Sequence, residues 1–417
     1  MQGGGDDNLN QFKLANYSHQ GFEGRYTQAV WADAPKIYSS FLGNKNLWKD
    51  DLVTTARDNV RNDGKAREDV YAAYAMSTVD IGKLRVLSGV RMERTDVAAT
   101  GVLNRPILPA LAATVAEDIR AARAAAEYGK VTKKSSYTDY FPGLHLRSTL
   151  RKDLLLRASY TTSFARPNFS DLIPDTSVSD SNLTVSQSNT AIKPQHADNF
   201  DLSAEYYFEP AGSFSVGWFH KTINDYIVSG INGGVIPGGN DNGYNGDYAG
   251  FTRLTTANAG TAIVQGWEFS YQQQFTFLPG LLKGLAASAN YTRIVTHGDY
   301  GGTTYLTSRN VAGFIPTSGN ASLSWRYRKF STRLIYNYTG EHVVTYSVAS
   351  PALSQYRFSH KSVNLGLGYQ VNPAVNLSLD VANLTNEPQV LYRGFKERTQ
   401  RTIYNFVTIT AGVNGRF

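Results

Sequence analysis

The feature that most narrows the folds open to this chain is the way its strand-like segments are joined. From Arg67 onward polar and apolar residues alternate, and the connections between the alternating stretches are short and long by turns. The short ones read VDIGK, RKD, EPAG, LPGLLKG, RKF and QVNP; the long ones run near 98–135, 168–195, 229–260, 297–316, 341–357 and 387–403. A β-sandwich or a propeller has no reason to gather every long connection at one end. An outer-membrane barrel does, because its periplasmic turns are short and its extracellular loops are long.

The alternation itself marks the strands. Val375, Leu377, Leu379 and Val381 alternate with Asn376, Ser378, Asp380 and Ala382. Phe200, Leu202, Ala204, Tyr206 and Phe208 alternate with Asp201, Ser203 and Glu205. In the last stretch Val407, Ile409, Ala411, Val413 and Phe417 oppose Thr408, Thr410, Gly412, Asn414 and Arg416. Successive side chains on a strand point to opposite faces, so one face is greasy and the other carries hydroxyls, amides, carboxylates and guanidiniums. About thirteen strands are expected on this basis. They lie near 70–78, 84–97, 136–149, 154–166, 196–208, 213–228, 261–277, 285–296, 317–327, 331–340, 358–369, 374–386 and 404–417. The expected fold class is all-β, an antiparallel transmembrane β-barrel.

Composition agrees where it bears on this. The sequence has no apolar run of about 18 residues, the length a membrane helix needs. Strands that cross a bilayer escape that test, because their apolar residues come at every second position. Charged residues are 18% of the 417, which is low, and mean hydropathy is −0.33. The net charge of +7 comes from scattered Lys and Arg with no dense basic block, so nucleic acid is not expected as a partner. The absence of cysteine excludes a disulfide scaffold, a Cys-ligated zinc site and a thiol nucleophile.

Between the strands, GINGGVIPGGNDNGYNGDYAG reads as a flexible surface loop rich in Gly and Asn. Residues 109–128 read as a loop helix, with Pro109 in its first turn, Leu111, Val115 and Ile119 in a stripe, and Gly129 at its end. Residues 1–66 have weak periodicity and read as a further long loop, with a short strand near Phe12–Asn16.

Few motifs carry chemistry. The 229–250 loop lacks the residue order of a phosphate cradle. NDNGYNGD (240–247) has calcium-like oxygens without the closing Glu, and reads as a turn-rich loop. The histidines never pair at metal spacing, and His145 reads as a lumen or interface residue. No nucleophile, base and orienting group stand together, so neither an enzyme nor a cofactor is expected. The polar residues Arg91, Arg157, Asp201, Glu205 and Asp380 read as lumen-facing, with the carboxylates solvated and paired to Arg157 or Arg91. The N-x-[ST] matches at Asn290, Asn376 and Asn383 follow from the alternation and do not read as glycan sites. Tyr160, Phe208, Trp218, Phe277, Trp325 and Tyr369, near strand ends, read as interfacial girdles.

Several phrases then fall in a familiar order: SYTTSFARPNFSDLIP (159–174), IKPQHADNFDLSAEYYF (192–208), GWFHKTINDYIV (217–228), DVANLTNEPQVLYRG (380–394) and the final GVNGRF. Together they resemble the C-terminal barrel of TonB-dependent receptors, over about residues 67–417, and look most like the subgroup that takes up oligosaccharides and other scarce nutrients. The resemblance implies an active transporter of the Gram-negative outer membrane. It implies a small-molecule ligand bound by extracellular loops and a plug, energy from the TonB–ExbB–ExbD complex, and contact with lipopolysaccharide. It also implies that the last strand, with Val413 and the terminal Phe417, is read by the barrel assembly machinery. The plug and TonB box of the family are not in this sequence, and plugged barrels have about 22 strands. The start MQGGGDDNLN is not a signal peptide. The chain therefore reads as the C-terminal part of a receptor, with 1–66 an extracellular loop and the incomplete start of the barrel, and 67–417 the rest of it. A ferric siderophore is the rival ligand. A passive porin, a barrel enzyme and a soluble carbohydrate-binding β-protein are the readings from other classes.

Overall fold

In the computed structural model the main sheet has thirteen strands that follow one another in chain order among the described residues. They are β1 (Lys65–Ile81), β2 (Leu84–Asn104), β3 (Tyr128–Arg151), β4 (Leu154–Ala165), β5 (Gln195–Phe208), β6 (Gly212–Asn224), β7 (Thr261–Gln274), β8 (Leu285–Asp299), β9 (Thr317–Tyr327), β10 (Phe330–Thr339), β11 (His360–Asn372), β12 (Val375–Ala382) and β13 (Thr408–Gly415). A two-residue strand, Thr307–Ser308, adds beside β8. The structure describes residues 2–3, 12–13, 32–61, 63–104, 112, 114–126, 128–244, 246–258, 260–299, 307–308, 310–347 and 350–415. Among these, β1 and β13 are the ends of the strand path and each has one neighbour in it. Among the described residues no helix is long and apolar enough to cross a membrane.

Register explains why the alternation in the sequence is so regular. One row crosses the sheet as Leu156, Ala204, Val216, Phe269, Tyr291, Gly319 and Tyr338. The next residue along each strand gives Leu155, Glu205, Ser215, Ser270, Asn290, Asn320 and Asn337. The first face is apolar and the second mostly polar, as a period of two requires. The apolar face is open: Leu202 is 52% exposed, Leu323 48% and Leu334 44%. An apolar wall of this extent is untenable in water and is what a bilayer selects. Along β5 the apolar face runs from Phe200 to Phe208. Those eight steps span about 26 Å along the strand, or roughly 20 Å at a 40° tilt, close to the height of a barrel's apolar band. Tyr160, Phe208, Trp218, Trp325 and Tyr369 all share the parity of this face, and Phe277 is exposed in the turn after β7.

The short connections are tight. Gly82, with φ +60°, and Lys83 join β1 to β2; Lys152 and Asp153 join β3 to β4; Arg328 and Lys329 join β9 to β10. Within β7 the polar face has no room at Gly266: a Cβ there would lie 2.3 Å from the Arg293 carbonyl and 3.0 Å from the Phe219 ring, which covers it.

The long connections differ from the flexible loops expected. Four of the six fold into two small sheets. The first takes Ile227–Val235, Thr252–Asn258, Thr184–Gln187 and Thr176–Ser179, in that order, with the middle pair parallel. The second takes His342–Thr345, Gln355–Arg357, Gln389–Arg393 and Thr399–Ile403. Expected strand limits shift for the same reason: the stretch 213–228 breaks at Asp225 (φ +55°), after which the chain enters the first small sheet. The final strand begins at Thr408, not at 404. The buried core also sits at this end. Val311 covers Ile223, Ala262 and Val264 on the inner wall, and Leu172 packs with Val97 and Ala99.

A smaller unit comprises residues 1–65 and 100–131. Helices Ala34–Gly43 and Leu52–Arg61 stand where a loop was expected. Asp33 caps the first through the Lys36 N–H at 3.1 Å. A third helix, Glu117–Ala126, buries Ala121 and Ala124, while Ile119 of the expected stripe is 54% exposed. Tyr128 already begins β3, so Gly129 lies in a strand and does not end the helix. Pro109 and Leu111 lie outside the described residues, as do residues 14–31; of the expected Phe12–Asn16 strand this leaves Phe12, which is in a helical turn, and Lys13, bridged to Ala32.

Face assignment is testable by charge. Leu379→Arg places a cation on the apolar face and is expected to cost roughly 2–4 kcal/mol. Ser378→Arg points to the polar face and is expected to cost much less. Heat-modifiable gel mobility of the membrane-embedded protein measures both, and equal losses would contradict the assignment.

Candidate functional site

The polar face of the wall divides into two sectors. On β2 to β5 it is charged. Arg147 and Arg157 stand directly opposite each other in register. Arg157 pairs with Glu205 at 2.9 Å, and the Tyr207 hydroxyl donates to the same carboxylate at 2.7 Å. The Ser159 hydroxyl donates to Asp201 at 3.3 Å, and His145 faces Ser159 across the β3–β4 ladder. Arg91 pairs with Glu93 on its own strand at 2.7 Å. So the structure brings Arg157, Glu205 and Asp201 to one sector. It gives Arg91 a partner other than the carboxylates named from the sequence. Asp380 lies apart from them on β12, opposite Gly366, and has no ion-pair partner among the described residues.

On β6 to β11 the same face carries two rows without a charge. One is Ser213, Gln272, Ser288, Ser322, Ile335 and Asn364; the other is Ser215, Ser270, Asn290, Asn320, Asn337 and Ser362. Neighbours in these rows bond directly: Ser288 to Ser322 at 2.8 Å, Asn290 to Asn320 at 3.1 Å and Asn337 to Ser362 at 3.3 Å.

The second small sheet concentrates cations. Arg357 and Arg401 flank Leu391 in one row, and Arg393, opposite Gln355, shares that face. Among the described residues none of these three guanidiniums has a carboxylate partner, and the Nε atoms of Arg357 and Arg393 are buried without a hydrogen bond. The other face is aromatic: Tyr356 stacks on Tyr392 at 5.1 Å, and Phe358 meets Tyr392 at 4.7 Å. Burial, reinforced by the hydrogen bond from the Tyr392 hydroxyl to Glu341 at 3.0 Å, pushes the Tyr392 phenol well above its ordinary range. It stays neutral at any physiological pH.

Other sequence motifs resolve into structural roles. In NDNGYNGD the side chain of Asn242 is buried; it donates to the carbonyls of Pro237 and Asp247 and accepts from the amides of Tyr244 and Gly246. No group of three metal-ligating side chains occurs among the described residues. Asn383, at φ +53°, accepts from the Glu387 amide at 3.0 Å and shapes the turn after β12. Val413 is on the apolar face and 71% exposed; Phe417 lies outside the described residues.

Sequence reasoning missed Arg166. It sits just past β4 and pairs with Glu68 at 3.2 Å and Glu93 at 2.9 Å, over the Phe164 ring at 4.6 Å. A lone Arg at a strand end gives no signal of partners some 70 to 100 residues upstream (separations of 73 and 98 by numbering). Removing it leaves two carboxylates facing each other. Arg166→Ala is expected to destabilise by about 2 kcal/mol. Limited proteolysis between 166 and 195 should accelerate, and unchanged cleavage would contradict the role.

The fold is that of known import receptors and transporters. The ferric-catecholate import receptor Fiu from K12 E. coli, in its closed form, superposes with a TM-score of 0.57 at 15% identity, over 85% of this chain and 45% of that one. The unliganded ferric citrate transporter FecA gives 0.56 at 15% identity, over 84% and 45%. The copper transporter OprC gives 0.55 at 15% identity, over 84% and 49%. At such identity the likeness is one of fold, and the chain spans about half the length of these structures. No curated protein matches it. The family described as TonB dependent receptor-like, beta-barrel matches residues 2–384, and the chain belongs to that family.

Proposed function

We propose that this chain forms the barrel wall of an outer-membrane receptor that binds a ferric chelate at its apical sheets and passes it inward by active transport. The observation that carries the ligand class is the face of Arg357, Arg393 and Arg401 without carboxylate partners. Ferric chelates of this kind are compact anions, and guanidiniums bind planar oxygen pairs through paired N–H donors. Energy would come through the TonB–ExbB–ExbD complex of the inner membrane. The outward face would meet lipopolysaccharide, and the polar face, with Arg91, Arg157, Asp201, Glu205 and Asp380, would face the lumen.

The oligosaccharide expectation rested on the resemblance to a nutrient-uptake subgroup, with loops rich in aromatics and amides that would suit a sugar. The aromatics there are engaged with each other: Tyr244 meets Tyr248 edge-on at 5.5 Å, and Tyr248 meets Phe251 at 5.6 Å. The Asn242 amide is consumed by backbone. The named relatives are receptors or transporters of iron chelates and copper, and lend the sugar reading no support.

Arg357→Ala combined with Arg393→Ala is expected to weaken binding of a ferric catecholate to intact cells by roughly a hundredfold, the loss of two charge-assisted contacts. Binding of a maltodextrin with no binding of ferric catecholate, ferric hydroxamate or ferric citrate would sink the chelate reading. A separate outcome is expected at the other end of the barrel. Deleting Phe417 should lower abundance in the outer membrane through the assembly machinery, with affinity per assembled molecule unchanged. Normal abundance with weakened binding would contradict an assembly role for β13.

A further inference from the structure

We infer that the outward face of β8–β11 carries a site for the phosphate of an outer-leaflet glycolipid, built from Arg293, Thr317 and Lys361 around a floor of Gly319 and Gly340; the inference rests on the outer-membrane reading above. Register sets these residues in two adjacent rows. One is Tyr291, Gly319, Tyr338 and Lys361. The other is Arg293, Thr317 and Gly340, whose amide donates to the Thr317 carbonyl at 2.7 Å. Both rows have the parity of Leu323 and Leu334, so they face lipid. Arg293 stands eight residues beyond Leu285, where β8 leaves its short turn. Lys361 stands eight residues before Tyr369, which is paired with Phe330 at the turn end of β10. The apolar run on β5, from Phe208 to Phe200, has the same span. Both cations therefore emerge at the edge of the apolar band on the side of the long connections.

Elsewhere at this height outward polar groups are satisfied within the protein. The Tyr160 hydroxyl donates to Asp198 at 2.9 Å, and the His220 ring pairs with the Gln265 side chain at 3.0 Å. Arg293 and Lys361 are exposed, and neither has a carboxylate partner among the described residues. A bond from the Arg293 guanidinium to the Thr317 hydroxyl at 2.6 Å turns the fork towards β9 and the glycines. Gly319 and Gly340 leave the surface between the two cations without side chains. A Cβ on Gly319 would lie 2.8 Å from the Asn290 carbonyl, and one on Gly340 2.8 Å from the Thr317 carbonyl. The cations are three strands across and two residues along from each other, about 16 Å between Cα atoms, a gap that two long side chains close onto one headgroup. A guanidinium takes phosphate oxygens in pairs, and an ammonium adds a point charge. Tyr291 and Tyr338 border the recess with rings suited to the membrane interface.

The protein is extracted from outer membranes in mild detergent, and the lipopolysaccharide it retains through detergent exchange is measured by native mass spectrometry. Wild type, Arg293→Gln combined with Lys361→Gln, and the inner-face control Arg333→Gln are compared at equal heat-modifiable mobility. Wild type and Arg333→Gln are expected to retain lipopolysaccharide alike, and the double variant roughly thirtyfold less, the loss of two interfacial cations. Arg293→Lys keeps the charge without the fork and is expected to fall between them; it carries the test if the double variant does not fold. Enzymatically dephosphorylated lipopolysaccharide should bind wild type no better than it binds the double variant. Equal retention by all variants, or equal binding of the dephosphorylated glycolipid, overturns the site and leaves the outer-membrane reading standing. Retention of inorganic phosphate in place of the glycolipid also overturns the site. A chain that is not recovered from the outer membrane overturns both.

Discussion

A backbone N–H or C=O in hydrocarbon has no water to bond, and this one constraint organises the molecule. Antiparallel pairing between chain neighbours satisfies it strand by strand, from β1 to β13. Once backbone polarity is hidden in the ladder, each residue is free to serve one of two solvents according to its parity. Lipid receives Leu202, Leu323 and Leu334, and the lumen side receives Ser270, Asn290 and Asn320. Little of the stability of such a wall comes from a conventional core. The fully buried side chains gather at the end with the long connections.

That asymmetry separates two tasks. The short turns hold register, with backbones such as those at Gly82 and Arg328 leaving no slack. Four of the long connections fold into sheets of their own, so the side chains they display rest on paired strands and not on open loops. The wall beneath adds a division by charge. Ion pairs mark one sector, and in the other two rows of hydroxyls and amides run between rows that carry Glu268 and Arg333.

Most of the wall was legible in the sequence because parity is a local property. Val375, Leu377, Leu379 and Val381 announce an outward face without knowledge of any partner strand. Pairings among residues distant in the chain were not legible. Arg166 reaches Glu68 and Glu93 through a register that only the full ladder defines; of the pairs that were expected, Glu205 does meet Arg157, whereas Arg91 takes Glu93 two residues away. The apical sheets were missed because strands such as Gln355–Arg357 are too short to show alternation. Their Gly- and Asn-rich joints carry a stronger turn signal than the strands do. The helices of residues 34–61 were missed because each is only ten residues long, so a stripe such as Leu52, Ala56 and Val60 spans too few turns to stand out.

The parallel pairing of Thr184–Gln187 with Thr252–Thr255 joins two different connections, 68 residues apart in sequence. Its partners are brought close only when β4, β5, β6 and β7 already lie side by side, since loop closure over such a distance is costly without them. The first apical sheet is thus the last part of this region to take shape during biogenesis. Its surface is a conformational epitope that exists on finished barrel and not on chains still waiting to insert. An antibody raised to it would distinguish chain with the ladder complete from chain in which these connections are still unpaired.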